Sequence, residues 1–163
     1  MAIDKKHTIS VLVENHFGVL ARVSGMFSAR GYNIDSLCVG ETEDPTISRM
    51  TVVARGDDNV LAQIMTQLNK LVDVIEVRDL TVESFVEREL VMVKVKAGGR
   101  QRGEVVEIAS IFRAKVVDVG GEHMIIEVTG AEGKVEAFVD MMRPFGLIEL
   151  VRTGEIAIAR SGK

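Results

Sequence analysis

Along the first half of the chain, apolar positions switch between a period of two and a helical period. Ile9, Val11 and Val13 point one way along a predicted strand, whereas Val19, Leu20, Val23, Met26 and Phe27 recur at helical spacing. Gly31 is placed to close that helix. Ile34 to Thr42 reads as a second strand, Glu43-Asp44-Pro45-Thr46 as a turn, and Ile47 to Arg55 as a third strand. Gly56-Asp57-Asp58-Asn59 offers cap residues for a second helix, whose apolar stripe is Val60, Leu61, Ile64, Met65 and Leu68. A fourth strand follows from Leu71 to Leu80. The predicted order is βαββαβ.

The second half repeats that order with weaker similarity. Glu87 to Ala97 is a strand and Gly103 to Arg113 a helix, and Lys115 to Val119 and His123 to Thr129 form a hairpin around Gly120-Gly121. Gly133 to Met142 is a helix stopped near Pro144, and Leu147 to Arg152 and Glu155 to Ala159 are strands. The fold class is therefore α+β, two ferredoxin-like βαββαβ domains. The charged segment Thr81-Val82-Glu83-Ser84 places their boundary, giving domains 1–84 and 85–163. Domains of this size bury a modest core, so each is expected to lean on an oligomer interface. In this topology right-handed crossovers set the first and third strands centrally and the second at an edge. The edge run Ser36-Leu37-Cys38-Val39-Gly40 carries no Lys, Pro or charge to block pairing with another strand.

Composition narrows the function classes. The 163 residues are 47% hydrophobic and 27% charged, enough for a core and a polar surface. Aromatics are only 4%, so Val, Ile, Leu and Met must fill that core. A net charge of −4 gives no electrostatic case for nucleic acid or anionic lipid as a partner. The single Cys38 excludes an intrachain disulfide and suits a reducing cytosol. Met1 to His7 lacks the apolar stretch of a signal peptide, and no run approaches the roughly 20 apolar residues of a membrane span. A cytoplasmic location is expected.

The candidate chemistry sits in Glu14-Asn15-His16-Phe17-Gly18-Val19-Leu20 and in Gly31-Tyr32-Asn33-Ile34-Asp35-Ser36-Leu37. The turn after the first strand leaves the first N–H groups of the helix, at Gly18, Val19 and Leu20, without intrahelical partners at the positive end of its dipole. Gly18 has no Cβ, so a small anion can approach that backbone. The side-chain amides of Asn15 and Asn33 read as flanking the same region, each with a carbonyl to offer an ammonium group. A carboxylate receptor beside an ammonium receptor suits a free amino acid. A capping or turn role is the ordinary reading of Asn15, and a turn role that of Gly18.

The remaining motifs carry less. His7, His16 and His123 have no ligand-type spacing and indicate no metal site; His16 reads as a solvated turn residue. Cys38 has no His or Asp neighbour to make it a nucleophile. Gly98-Gly99-Arg100-Gln101-Arg102-Gly103 resembles a phosphate loop but runs on into Glu104 and Val105, not the required Lys-Ser/Thr. No nucleophile, base and orienter assemble, and no carboxylate pair for general acid–base work.

Three stretches carry a family resemblance: Val13-Glu14-Asn15, Gly18-Val19-Leu20-Ala21-Arg22-Val23 and Arg30-Gly31-Tyr32-Asn33-Ile34-Asp35-Ser36-Leu37. They resemble the ACT domain of the acetolactate (acetohydroxyacid) synthase small subunits. The likeness continues through Asp44 to Thr51, Gln67 to Val74, Val86 to Leu90 and Ile111-Phe112-Arg113, nearly the whole chain. It implies a non-catalytic regulatory subunit of branched-chain amino-acid biosynthesis, with two ACT domains side by side in a homodimer and valine bound between them. It also implies Asn15, Gly18, Val19, Leu20, Asn33 and Ile34 as the valine site, with the backbone of Val19 and Leu20 engaged and Ile34 against the ligand side chain. The catalytic large subunit would hold thiamine diphosphate, magnesium and FAD, and this chain no cofactor. An ACT-type amino-acid-sensing transcription regulator is the alternative, and it requires a helix-turn-helix and a basic face, neither visible here.

Overall fold

The computed structural model describes residues 5–161, so the part of the leader reading that rests on residues 1–4 lies outside it. The chain divides into two compact units. The first contains β1 (Lys5–Glu14), α1 (Val19–Ala29), β2 (Ile34–Glu41), β3 (Ile47–Gly56), α2 (Asp58–Leu68) and β4 (Val74–Asp79). Its sheet runs β2-β3-β1-β4, with β1 antiparallel to both β3 and β4. The expected central pair and the expected β2 edge are both present. Strand alternation sends Ile9, Val11 and Val13 from β1, and Met50, Val52 and Ala54 from β3, against the helices. There they meet Val19, Val23, Met26 and Phe27 of α1 and Ile64 and Leu68 of α2, all buried.

Local chemistry fixes the ends of both helices. After α1, Gly31 adopts φ +69°, Gly31 N donates to Ser28 O at 3.1 Å, and Tyr32 N donates to Phe27 O at 3.0 Å. This is a Schellman closure, and its accompanying apolar contact is an edge-on pair of the Phe27 and Tyr32 rings, centroids 6.4 Å apart. At the start of α2, Asp57 Oδ1 accepts from Asn59 N at 3.0 Å and Val60 N at 2.9 Å. The fourth strand is shorter than the predicted Leu71–Leu80. Val74 N is turned back onto Leu71 O, and Leu80 begins a short 3-10 turn.

The second unit holds β5 (Phe85–Lys96), α3 (Gln101–Ile111), β6 (Lys115–Val119), β7 (His123–Gly130), α4 (Glu132–Met142) and β8 (Leu147–Arg152). Its strand order, β6-β7-β5-β8, repeats that of the first unit element for element. Val91, Val93 and Val95 of β5 and Ile126 and Val128 of β7 face Val105, Ala109, Phe138 and Met142.

The domain limits differ from the sequence reading at the carboxyl end. Contacts group residues up to Val86 with those from Glu155 onward, and Glu87–Gly154 form the second unit. The segment Thr81–Ser84 is no free linker, since Thr81 Oγ1 accepts from Thr8 N at 3.0 Å. The last strand is β9 (Ile156–Ala159), and next to it Arg160 N donates to Ser84 O. Glu155, buried, accepts from Lys6 Nζ at 2.7 Å and from Thr8 Oγ1 at 3.0 Å. Ala157 N donates to Thr51 Oγ1 at 3.4 Å. This strap lies on the face of the first sheet away from its helices, where Thr8, Ser10, Thr51 and Val53 are buried. An alternating pattern such as Glu155 to Ala159 cannot state which sheet face it will cover.

No helix among the described residues is long and apolar enough to cross a membrane.

Candidate functional site

The turn between β1 and α1 is held from below by the hairpin that joins β2 to β3. Asn15 N donates to Thr46 O at 2.7 Å, and Asn15 Nδ2 donates to Pro45 O at 2.8 Å and to Glu41 Oε1 at 3.1 Å. With its N–H groups committed to the hairpin, the Asn15 amide has its carbonyl oxygen left to offer. Asp44 stiffens that hairpin by accepting from Thr46 N at 2.9 Å and Thr46 Oγ1 at 2.7 Å. Those two hydrogen bonds hold the Asp44 carboxyl below its ordinary range. The ordinary reading of Asn15 as a turn residue is thus correct for half of its amide.

Gly18 stands at the N-cap of α1 with φ +86° and no side-chain cap. The positive φ selects glycine, and the missing cap leaves the first-turn N–H groups to other acceptors. Val19 N reaches His16 O only at 3.4 Å. A Cβ at Gly18 would meet Arg22 Nη1 at 3.5 Å, so the Arg22 guanidinium adds positive charge beside this helix end. Val19 buries its side chain in the core while Leu20 is half exposed. Asn15, Gly18, Val19 and Leu20 therefore lie together, beside a cleft of about 420 Å³ lined by Glu14, Asn15, His16, Thr46, Ile47 and Ile75.

Asn33 and Ile34 do not join them within one chain. Ile34 pairs with Ala54 whereas Glu14 pairs with Ile47, and the stretch of β3 from Ile47 to Ala54 separates the two ends. At ~3.3 Å per residue that is about 23 Å. The expectation that Asn15 and Asn33 flank one region thus fails for the single chain. The helix between them carries the chain back along the sheet, and sequence proximity to α1 hides which end each residue occupies. Asn33 is exposed, and its Nδ2 donates to Asp35 Oδ1 at 2.7 Å. Asp35 Oδ2 in turn accepts from Arg55 Nε at 2.6 Å. Ile34 is half-buried against its own core.

The comparisons with known proteins decide the family. A model described as the acetohydroxyacid synthase small-subunit-like ACT domain matches residues 9–76, and one described as the small subunit of acetolactate synthase matches residues 88–161. This chain belongs to the acetolactate synthase small-subunit family. It is 56% identical over 158 residues to a protein of Archaeoglobus fulgidus named probable acetolactate synthase small subunit, covering 97% of this chain and 99% of that one. The acetolactate synthase small subunit of Aquifex aeolicus is 48% identical, covering 96% and 82% of the two chains. Among solved structures, the acetolactate synthase small subunit of Thermotoga maritima superposes with a TM-score of 0.89 at 40% identity, covering 98% of this chain and 99% of that one. Membership places the chain in branched-chain amino-acid biosynthesis as a regulatory subunit.

For a small subunit of this family, the site has neighbours that the sequence spacing gave no sign of. Asp73, at the turn before β4, is buried, and its Oδ2 accepts from Arg22 Nε at 2.6 Å. The Arg22 hydrogen bond holds the Asp73 carboxyl below its ordinary range against the opposing effect of burial. His16 is no simple solvated turn residue, since its Nε2 lies 3.0 Å from Asp73 Oδ1 and 3.2 Å from Glu14 Oε2. Glu14, His16 and Asp73 together present three ligand-type atoms within 4.8 Å of one another. One cue was legible, because Arg22 follows Gly18 by one helical turn. Asp73 had none, since it reaches the turn only through the sheet.

Proposed function

We propose that this chain activates a separate, thiamine-diphosphate-dependent catalytic subunit of acetolactate synthase and makes that enzyme sensitive to valine. Magnesium and FAD belong to the catalytic subunit, this chain needs no cofactor for its role, and the complex works in the cytoplasm. The single observation that supports the reading is the placement of the two halves of the site at opposite ends of an open edge strand. If β2 pairs antiparallel with β2 of a second copy about its middle, Ile34 of one copy falls opposite Glu41 of the other. Glu41 is the residue that touches Asn15 in the same chain. The two-fold dimer thus sets Asn33 and Ile34 of one copy beside Asn15, Gly18, Val19 and Leu20 of its mate, and builds two equal sites.

In such a site the valine carboxylate takes the uncapped N–H groups of α1, with Arg22 close by. The ammonium takes the carbonyl oxygens of Asn15 and Asn33, and the isopropyl group lies against Ile34. Because each site spans both copies, valine favours the dimer arrangement that closes it, and the difference in affinity between arrangements bounds the inhibition. A DNA-binding regulator is not favoured. The four described helices are divided between two βαββαβ units, which leaves no adjacent helix pair for a helix-turn-helix.

The test is reconstitution. The isolated chain should produce no acetolactate from pyruvate, should stimulate a purified catalytic subunit, and should confer valine inhibition. Turnover by the chain alone, or a catalytic subunit indifferent to it, would end the reading.

A further inference from the structure

We propose that Glu14, His16 and Asp73 form a binding site for a divalent first-row transition-metal ion, with Zn²⁺ the best match. Donor atoms from three separate residues meet at the turn between β1 and α1. His16 Nδ1 lies 3.2 Å from Phe17 O, a carbonyl that can only accept, so this contact is a hydrogen bond when Nδ1 carries the ring proton. Nε2 faces two more acceptors, the carboxylate oxygens of Asp73 and Glu14 at 3.0 and 3.2 Å. The three atoms, one imidazole nitrogen and two carboxylate oxygens, converge on one point that a shared cation can occupy.

The geometry suits the ion. One hydrogen on Nε2 cannot point straight at two oxygens, whereas a metal is shared by all three atoms. Ligands about 2.05 Å from a tetrahedral centre are roughly 3.4 Å apart, close to the two spacings from Nε2, while the two carboxylate oxygens lie within 4.8 Å of each other. A ligating histidine commonly donates its other ring N–H to a backbone carbonyl, as His16 does to Phe17 O. A ligating carboxylate is commonly fixed by an outer partner, as Asp73 is by Arg22 Nε at 2.6 Å. Asp73 is buried at the floor of the group while Glu14 and His16 are about half exposed, so an ion has a way in. One imidazole with two carboxylates suits zinc better than magnesium or calcium, which prefer an all-oxygen shell. Water or a donor group of a small molecule completes the shell.

Charge is the counter-argument. Glu14 and Asp73 bring two negative charges and Arg22 one positive, so a dication leaves the group one positive charge in excess while a ring proton balances it. Affinity should therefore be moderate, and the experiment must separate ion from proton. The full chain, stripped with chelator, is titrated with Zn²⁺ alone by calorimetry, with no valine present, and Co²⁺ is used as a visible-absorption probe. The expected result is one ion per chain, a rise in the unfolding temperature on adding Zn²⁺, and cobalt bands of four-coordinate intensity. His16→Gln should weaken binding at least tenfold and abolish the thermal shift. Glu14→Gln, at an exposed position where the fold has little at stake, should also weaken it. Absence of binding, or binding that survives both substitutions, would overturn the proposal and leave His16 as a hydrogen-bond partner of the two carboxylates. Neither result bears on valine binding, which is read separately.

Discussion

At Gly18 two constraints meet, a positive φ that few side chains accept and an uncapped helix end with Arg22 close by. Aspartate tolerates the left-handed region better than most residues, and its carboxylate there would itself satisfy the first-turn donors. Gly18→Asp should therefore yield a subunit that still stimulates its catalytic partner but resists valine, as read from valine inhibition curves of the reconstituted enzyme. Ordinary inhibition would show that the ligand carboxylate is bound elsewhere. Asn33 raises a different issue, because one of its N–H groups is spent on Asp35 and its carbonyl is turned to other donors. Loss of a charge-assisted hydrogen bond from the valine ammonium should cost about 1.5–3 kcal/mol, roughly 10–150-fold in affinity. Calorimetry on Asn33→Ala gives the value directly, and an unchanged affinity would remove Asn33 from the site.

Among the elements, the β2–β3 hairpin has the widest influence, since it both ends the open edge and holds Asn15 through Pro45 O and Thr46 O. Asp44 keeps its shape through Thr46, and the same bonds depress the folded pKa of Asp44 below 3.8. A depressed carboxyl contributes stability that is complete above the unfolded value and is lost as pH falls through the folded one. Wild type should therefore have a higher denaturant midpoint than Asp44→Ala at neutral pH, and the gap should close in acid below 3.8. A gap that persists into strong acid would mean that the side chain acts by packing and not by its charge. Other elements were legible for local reasons. Asp57 announced α2, Gly31 ended α1, and the apolar stripes contain the buried residues of both helices, although Leu20 of the α1 stripe is exposed.

On the scale of the whole molecule, the carboxyl-terminal strap ties the end of the chain to its beginning. Glu155 is buried and accepts from half-buried Lys6 and buried Thr8, and its own N–H donates to Ser36 Oγ at 3.0 Å. Glu155→Ala removes a nearly buried acceptor from a charged donor, for which the expected loss is about 2–4 kcal/mol of stability. Chemical denaturation of the full chain measures it, and a loss within error of zero would show that the strap only decorates the first unit. The same contact means that a chain ended at Ser84 lacks part of its own first unit. An effect of such a truncation on valine response is therefore no evidence about the second unit.

The sequence by itself determined the elements, the repeated βαββαβ order, the β2 edge and the glycine turn, because each depends on periodicity, cap chemistry or crossover handedness within short stretches. That Asn15 and Gly18 share one turn was legible for the same reason, since they are only three positions apart. Only the tertiary structure decided that Asn33 stands at the far end of the sheet, that Asp73 reaches Arg22 and His16, and that Glu155 returns to the first unit. Those facts depend on register between strands and on which face a distant segment covers. A pattern of alternating residues is the same whichever neighbour it meets, so the meeting is settled by the buried pairs that the whole fold makes possible.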